Sequence, residues 1–343
     1  MTQFNPNEIG MANGNYFALP YRPEESEIVL ISVPWDVTTS YRPGTHKGPD
    51  AIIKASVQVD LYDPLVPDAW KVKIGTIPED QSIIKENKKY RRLAEKVIEH
   101  LEKGTDPKTL KADTDNINEA SESLNSNVYK ACSKYMAEGH FVGLIGGDHS
   151  VPLGNMKAVA EKYEEFGILH IDAHADLRIA YEGFKYSHAS IMYNALNEIP
   201  QISQLTQVGV RDFCQDESAF INHDSRIRCY TDIEIKQNSF EGKTWKKQCE
   251  EIIASLPACV YISFDIDGLS PDLCPNTGTP VPGGLSFREV DNLLFMLACS
   301  NKKIIGFDLC EISPSENGDW DANVGSRILY KLCIYSKFNS RNR

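Results

Sequence analysis

The sequence has no excess of basic residues and no long apolar run. Lys and Arg total 36 against 48 Asp and Glu, which gives a formal net charge of −12 over 343 residues. Proteins that bind nucleic acid or anionic membranes usually carry the opposite sign, so we expect neither partner. No apolar run approaches the roughly 20 residues that a membrane-spanning helix needs.

Paired cysteines are also lacking. The nine cysteines are odd in number and scattered, and no two form a CxxC pair. Several lie inside apolar runs, as buried free thiols do. The first residues, MTQFNPNEIGMANG, show neither the basic end nor the apolar run of a signal peptide. We therefore expect a reduced, cytoplasmic protein.

What the sequence does contain is an alternation of short apolar runs with longer helix-like stretches. The runs are rich in β-branched residues and apolar on both faces, which is typical of strands covered by helices on both sides. They cover 28–33, 72–77, 141–146, 167–171, 205–210, 227–230, 259–264 and 303–309. Helix-like stretches cover 87–102, 127–138, 153–163, 244–255 and 286–299, the last opening on a capping box at Ser286 and Glu289. This pattern predicts an α/β fold with a mainly parallel sheet of about eight strands.

Domain organisation is expected to be simple. We find neither an internal repeat nor a linker rich in Pro, Gly and Ser, so residues 1–343 are predicted to form a single domain. The one shift in composition is 103–127, which is polar and acidic. We predict an exposed loop or insertion there.

Three predicted strands end in clusters of metal-binding side chains: GGDHS (146–150), DAHAD (172–176) and FDIDG (264–268). Residues two apart in an extended chain point the same way, so the acidic and histidine side chains within a cluster converge. The carboxyl ends of the strands of an α/β sheet are also where ligands bind. Each cluster alone is more simply explained as a turn, but three of them at strand ends argue against coincidence. The candidate ligands are His149, Asp172, His174, Asp176, Asp265 and Asp267.

Two imidazoles and four carboxylates are too many ligands for one tetrahedral zinc ion. They suit two divalent ions bridged by carboxylate oxygens, and the oxygen-rich set favours two Mn²⁺, although Ni²⁺, Co²⁺ and Zn²⁺ are compatible. Such a pair of ions lowers the pKa of a shared water and holds hydroxide near neutral pH.

These motifs resemble the ureohydrolase family of arginases, agmatinases and their relatives. The resemblance extends to 34–52, 276–285 and Glu311-Ile312-Ser313-Pro314, and so runs from about residue 28 to 335. It implies a single three-layer α/β/α domain, a two-manganese centre with the same six ligands, and a homo-oligomer, either a trimer or a hexamer.

The resemblance also implies roles for two further residues. His188 corresponds to a histidine that passes protons to the leaving amine, and Glu311 to a carboxylate that pairs with the substrate guanidinium. A metal-bridged hydroxide would then attack the guanidinium carbon, while Asp267 or a neighbouring residue steadies the proton of the tetrahedral intermediate. The expected products are urea and an amine.

The loop after Asp176 bears on the substrate. Its sequence, DLRIAYEG, is similar to agmatinases of the bacterial type, which favours agmatine as substrate and putrescine as product. Glu182 is a candidate to receive the distal ammonium group. Arg178 is expected either to pair with Glu182 or Asp212 or to bind a substrate carboxylate. Arginine, guanidinobutyrate, free guanidine and formiminoglutamate therefore stay open as substrates.

The sequence departs from the family pattern at two positions. Ser270 stands where the family usually has Asp, and His46 replaces a residue that is often basic in relatives.

Two rival classes of protein stay open. The deacetylase branch of the same general fold, with one zinc, is disfavoured by the six-ligand set and Glu311. A non-catalytic metal-binding protein is the alternative outside enzymes.

Overall fold

A computed structural model describes residues 4–315 and 318–341. All eight predicted strands are present, and every pairing between them is parallel. The strands are β1 Ile28–Val33, β2 Ile74–Ile77, β3 Phe141–Gly146, β4 Phe166–Ile171, β5 Ile202–Val208, β6 Ile227–Tyr230, β7 Cys259–Asp265 and β8 Lys303–Cys310. They form one sheet in the order β2-β1-β3-β8-β7-β4-β5-β6.

The helices include all five predicted stretches. They are α1 Gly48–Ser56, α2 Gln81–Glu102, α3 Lys111–Ala137, α4 Leu153–Ala160, α5 Ile191–Glu198, α6 Gln215–His223, α7 Asp232–Phe240, α8 Trp245–Ser255, α9 Phe287–Cys299 and α10 Trp320–Arg341. The capping box predicted for α9 is confirmed, because Ser286 Oγ accepts from the Glu289 N–H and the Ser286 N–H donates to Glu289 Oε2.

Two separate apolar clusters cover the two faces of the sheet. One contains buried residues of α1, α7, α8, α9 and α10, and the other contains buried residues of α2, α3, α4 and α5. The sheet is therefore the middle layer of an α/β/α arrangement, which confirms the predicted fold class. No helix in the described part of the chain is long and apolar enough to cross a lipid bilayer.

The prediction of an exposed loop over residues 103–127 is wrong. A short 3₁₀ turn, Pro107–Leu110, leads into α3, which begins at Lys111 and runs for 27 residues. Ile117, Leu124 and Val128 are buried along one stripe of this helix. A stripe spaced at three or four residues needs few apolar positions, so a polar composition overall concealed an amphipathic helix.

Candidate metal centre and active site

The predicted site residues come from four strands that are neighbours in the middle of the sheet. His149 follows β3, Asp172 follows β4, Asp265 is the last residue of β7 and Glu311 follows β8. Parallel strands end at the same edge, so their carboxyl ends bring these side chains together.

His149 lies at the centre of three carboxylates. Its Nδ1 is 3.0 Å from Asp172 Oδ2, 3.3 Å from Asp176 Oδ2 and 3.4 Å from Asp265 Oδ2. The four side chains are buried. The sequence spacing thus predicted a group of residues that the fold does bring together.

A second group of donors adjoins the first. His174 Nδ1 is 3.0 Å from Asp267 Oδ2 and 3.4 Å from Asp172 Oδ1. Asp172 therefore belongs to both groups, one with His149, His170 and Asp176 and the other with His174 and Asp267. A carboxylate shared in this way is what two neighbouring cations need as a bridge.

The charges of the site call for cations. Burial and the neighbouring Asp172 raise the pKa of Asp176 to about 6, and burial with Asp267 raises the pKa of Asp265 well above its usual value. Burial alone would lower the pKa of His149, but its carboxylate partners raise it well above the ordinary value. Within the described residues, the ion-pair partners of these carboxylates are histidines. Imidazole and carboxylate donors without lysine or arginine fit divalent ions.

The backbone holds the ligands in position. The Ala173 N–H donates to Asp267 Oδ1 at 3.0 Å, and the Asp267 N–H donates to Asp265 Oδ1 at 2.8 Å. Asp176 and Glu311 have φ values of 54° and 65°, in the left-handed region that non-glycine residues rarely occupy. Strain of this kind is concentrated at functional sites.

Sequence reasoning missed a buried polar row beneath the ligands. Gln207, His170, Ser263 and Asp308 pair in register across β5, β4, β7 and β8, and all four are fully buried. His170 Nε2 lies 2.8 Å from Asp172 Oδ2, and Gln207 Nε2 donates to His170 Nδ1 at 3.0 Å. The signal was present, because His170 is two residues before Asp172 and so faces the same side of the strand.

The same row supports His149 from behind. Ser263 Oγ lies 2.9 Å from His149 Nε2 and donates to Asp308 Oδ1 at 3.1 Å. Nε2 is thereby occupied by Ser263 and Asp308, which leaves Nδ1 as the atom that faces Asp172, Asp176 and Asp265. Metal-binding histidines are commonly oriented through their second nitrogen in this manner.

Glu311 borders the donor groups and has one free oxygen. Its Oε1 accepts from the His149 N–H at 2.9 Å. Its Oε2 is buried and has no hydrogen-bond partner among the described residues, although the side chain is only 5% exposed. Burial and the nearby Asp148 raise its pKa well above the usual value. An isolated buried carboxylate oxygen is costly unless a cation or donor meets it.

His188 is half-buried at the end of the loop of residues 176–188, the predicted specificity loop. Its N–H donates to Thr38 Oγ1 at 3.3 Å, and the edge of its ring contacts Tyr181 with centroids 6.3 Å apart. Burial lowers its pKa to about 3, and the positive charges of His174 and Arg91 act in the same direction. The imidazole is therefore neutral.

Arg178 is already engaged within the protein. Its Nε is 3.7 Å from Glu217 Oε2, and its guanidinium lies 4.8 Å from the centre of the Tyr181 ring. The ion pair is thus with Glu217 rather than with Glu182 or Asp212, a partner the sequence did not indicate.

Glu182 borders a cavity that residues of α2 and α3 also line. Burial raises its pKa to about 6, Glu102 adds to this and Arg91 opposes it. It lines a cavity of about 300 Å³ together with Leu101 and Thr114. Its role toward a substrate ammonium stays a prediction.

The two positions that depart from the family pattern have clear surroundings. His46 Nδ1 is 2.7 Å from the buried Asp36 Oδ2. The loop that contains Ser270 is held by a hydrogen bond from its N–H to the Leu285 carbonyl, and Arg211 donates to the carbonyls of Asp267 and Leu269. A neutral side chain at 270 therefore leaves the loop anchored.

Comparison with known proteins gives a consistent result. A family model described as the arginase family matches residues 26–334. The chain is 32% identical to an N(1)-aminopropylagmatine ureohydrolase of Thermus thermophilus over 91% of this chain and 90% of that protein. It is 28% identical to the agmatinase of Bacillus anthracis, over 91% of this chain and 92% of that protein.

Solved structures show the same fold. The agmatine ureohydrolase of Thermoplasma volcanium superposes with a TM-score of 0.70 at 24% identity, covering 94% of each chain. At that identity the likeness concerns architecture.

Proposed function

The chain belongs to the arginase family of hydrolases, and from this membership we propose that it cleaves the guanidino C–N bond of agmatine or a close cationic analogue. Urea and an amine, putrescine in the case of agmatine, are the products. The sheet order supports one working domain over 1–343, because β8 from the end of the chain lies between β3 and β7. The cytoplasmic location and the homo-oligomer stay predictions.

The observation that carries this proposal is the free oxygen of Glu311. It is a buried acceptor without a partner among the described residues, and it borders two donor groups that share Asp172. A planar guanidinium offers several N–H donors and a positive charge, and carboxylates bind such cations strongly. We propose that Oε2 takes the guanidinium while Oε1 stays bonded to the His149 N–H.

We propose that the six predicted ligands hold two Mn²⁺. The group around His149, with Asp172, Asp176 and Asp265, would bind one ion, and the group around His174 would bind the other. Such a pair of ions supplies a nucleophile near neutral pH by lowering the pKa of water.

His188 is proposed to move the proton. A neutral imidazole carries one donor and one acceptor nitrogen, so it can accept a proton on one side and give one to the departing amine on the other. Thr38 fixes its backbone, and the Tyr181 ring limits its motion. Asp267 is proposed to accept a hydrogen bond from the tetrahedral intermediate.

Two observations favour a substrate without a carboxylate. Arg178 already has a carboxylate partner in Glu217 and an aromatic neighbour in Tyr181, and both compete with a substrate carboxylate. The relatives named above act, by their names, on agmatine and N(1)-aminopropylagmatine. N(1)-aminopropylagmatine is therefore the second candidate substrate.

The test is urea release by Mn²⁺-loaded protein. We expect urea from agmatine or N(1)-aminopropylagmatine, no turnover by His149→Ala, and full activity of His223→Ala, a change on the exposed end of α6. Arginine, guanidinobutyrate, free guanidine and formiminoglutamate serve as comparisons, with formamide measured for the last. Turnover of a carboxylated compound alone would refute the proposed substrate class.

A further inference from the structure

Gly278 lies directly beside the free oxygen of Glu311. A Cβ built on Gly278 would be 3.0 Å from Glu311 Oε2, 3.7 Å from the Arg42 carbonyl oxygen and 3.8 Å from Thr39 Cγ2. The glycine is buried, and its φ lies outside the left-handed region. The backbone conformation at Gly278 is one that alanine also adopts. The glycine is therefore required for the space that its missing side chain leaves, and not for its conformational freedom.

Glu311 Oε2 and the methyl group of Thr39 border this space, and two polar atoms on these same two side chains lack partners among the described residues. They are Glu311 Oε2 and Thr39 Oγ1, and both side chains are at least 95% buried, with exposures of 5% and 1%. Buried polar atoms are nearly always hydrogen-bonded, and a pair of exceptions beside one gap indicates a polar ligand.

The walls of the gap are rigid. Glu311 cannot turn its carboxylate away without losing the bond between Oε1 and the His149 N–H. Thr39 is fixed from behind, because Arg91 donates to its carbonyl oxygen and to that of Val37.

The segment that carries Gly278 is equally well held. Thr277 Oγ1 donates to the Glu311 carbonyl at 2.8 Å, and Asn276 bonds to both oxygens of Asp321 at 2.8 Å. Arg42 Nη1 reaches the Pro275 carbonyl at 3.2 Å. A methyl group at 278 would therefore occupy the gap instead of displacing its walls.

We propose that Gly278 and Thr39 form a slot that determines which guanidinium group can reach Glu311. The terminal amino group of the guanidinium enters beside Gly278, donates to Glu311 Oε2 and donates to Thr39 Oγ1. The inference rests on the proposed function, since it specifies how that site selects an unsubstituted guanidinium end. Gly278 and Thr39 are specificity-determining residues, distinct from the metal ligands.

The main test is Gly278→Ala in Mn²⁺-loaded protein. We expect KM for agmatine and the inhibition constant of guanidinium ion both to rise at least about tenfold, the equivalent of about 1.4 kcal/mol. Manganese content and the inhibition constant of putrescine, which has no guanidinium, should stay unchanged. If the wild type and Gly278→Ala have the same KM for agmatine and the same inhibition constant for guanidinium, the proposed slot is wrong.

Gly318→Ala is the matched control, because that glycine also lies outside the left-handed region, and apart from its chain neighbours no described residue has an atom within 4 Å of an added Cβ. Thr39→Val keeps the shape and removes the hydroxyl, and should raise KM about 3- to 10-fold for one lost hydrogen bond. If Gly278→Ala does not fold, Thr39→Val becomes the deciding variant. An unchanged KM of Thr39→Val for agmatine would then refute the proposal.

Failure of the slot and failure of the proposed function are distinguishable. If the wild-type protein releases no urea from any substrate, the proposed function fails. The proposed slot is then tested by calorimetric titration of both proteins with guanidinium chloride. Weaker binding of guanidinium by Gly278→Ala than by the wild type supports the slot, and equal binding contradicts it.

Discussion

At the scale of single residues, the proposed metal ligand Asp172 is held by buried partners beneath it. Asp172 accepts from His170, and Gln207 fixes the ring of His170 by donating to its Nδ1. Gln207 also donates to the Ala175 carbonyl at 2.8 Å, so this support is attached to the ligand loop itself. The orientation of Asp172 is therefore set before any cation binds.

We predict that His170→Phe weakens Mn²⁺ binding about 10- to 100-fold, the usual effect of removing a hydrogen bond to a ligand. Phenylalanine keeps a ring in the core but cannot donate to Asp172. Free Mn²⁺ is measured by its electron paramagnetic resonance signal during titration, with His223→Phe as the exposed control. A lower melting temperature with unchanged Mn²⁺ affinity would show that His170 only fills space.

Glu182 provides a prediction about pH. Its pKa is raised to about 6 from an ordinary value of 4.5, so the folded state binds its proton more tightly than the unfolded state does. Its contribution to stability is therefore largest at low pH and is lost as pH rises through about 6. Glu182→Gln should raise the melting temperature at pH 8, and the gain should shrink toward pH 5.

The control for this pH effect is Glu119→Gln, a change on the exposed face of α3. A pH-dependent change in melting temperature that both variants share would be a general effect of removing a carboxylate. A constant difference for Glu182→Gln across the same range would contradict the raised pKa.

The candidate metal ligands could be predicted from the sequence, because alternate residues at the end of a strand point to the same side. This pattern can be read without knowing any tertiary contact. Asp172, His174 and Asp176 were identifiable in this way. The pairing of Arg178 with Glu217 was not, since 39 positions separate them and α6 had no signal that connected it to the loop. Glu311 was accessible only through family resemblance, because one carboxylate after a strand has no pattern of its own.

At the scale of elements, α3 supports the loop that contains His188. Asn118 Nδ2 donates to the Gly183 carbonyl at 3.2 Å, and the Lys185 N–H donates to Asn118 Oδ1 at 2.8 Å. Thr114 also approaches Gly183, where an added Cβ would be 3.0 Å from its methyl group. The segment taken for a loop from its composition therefore braces the predicted specificity loop.

We predict that Asn118→Ala loosens that loop. Loss of about 1 kcal/mol of hydrogen bonding should speed amide exchange in residues 181–188 about fivefold. Hydrogen–deuterium exchange measured by mass spectrometry checks this. Asn116→Ala, at an exposed position of the same helix, should leave the exchange unchanged, and an equal increase in both variants would show general loosening of α3.

At the scale of the whole molecule, a buried ion network joins the last helix to the first half of the chain. Lys331 on α10 contacts Asp63 and is 3.1 Å from Asp291 on α9. Tyr335 donates to the same Asp291 at 2.7 Å. The three charged side chains are at most 14% exposed, so water screens them weakly.

Lys331→Met should destabilise the fold by about 3 kcal/mol, because the buried Asp63 loses its cation and the buried Asp291 keeps only Arg288. Urea denaturation gives the free energy of unfolding. The control is Lys54→Met, whose pair with Asp50 is exposed and contributes at most about 1 kcal/mol. Equal losses in the two variants would mean that the network adds nothing beyond a surface pair.

The fold class was accessible from the sequence because apolar strand runs alternate with helices along the entire chain. Strand order was not, because β8 inserts between β3 and β7 through contacts that no local pattern records. The same holds for the Lys331 network, in which Asp63 and Lys331 are 268 positions apart.

The central position of β8 has a consequence for the newly made protein. Glu311 follows that strand and bonds to the backbone of His149, 162 positions earlier. During synthesis the proposed metal ligands, all between residues 149 and 267, leave the ribosome before the strand that separates β3 from β7. The proposed site is therefore complete only when β8, one of the last elements of the chain, has taken its place in the sheet.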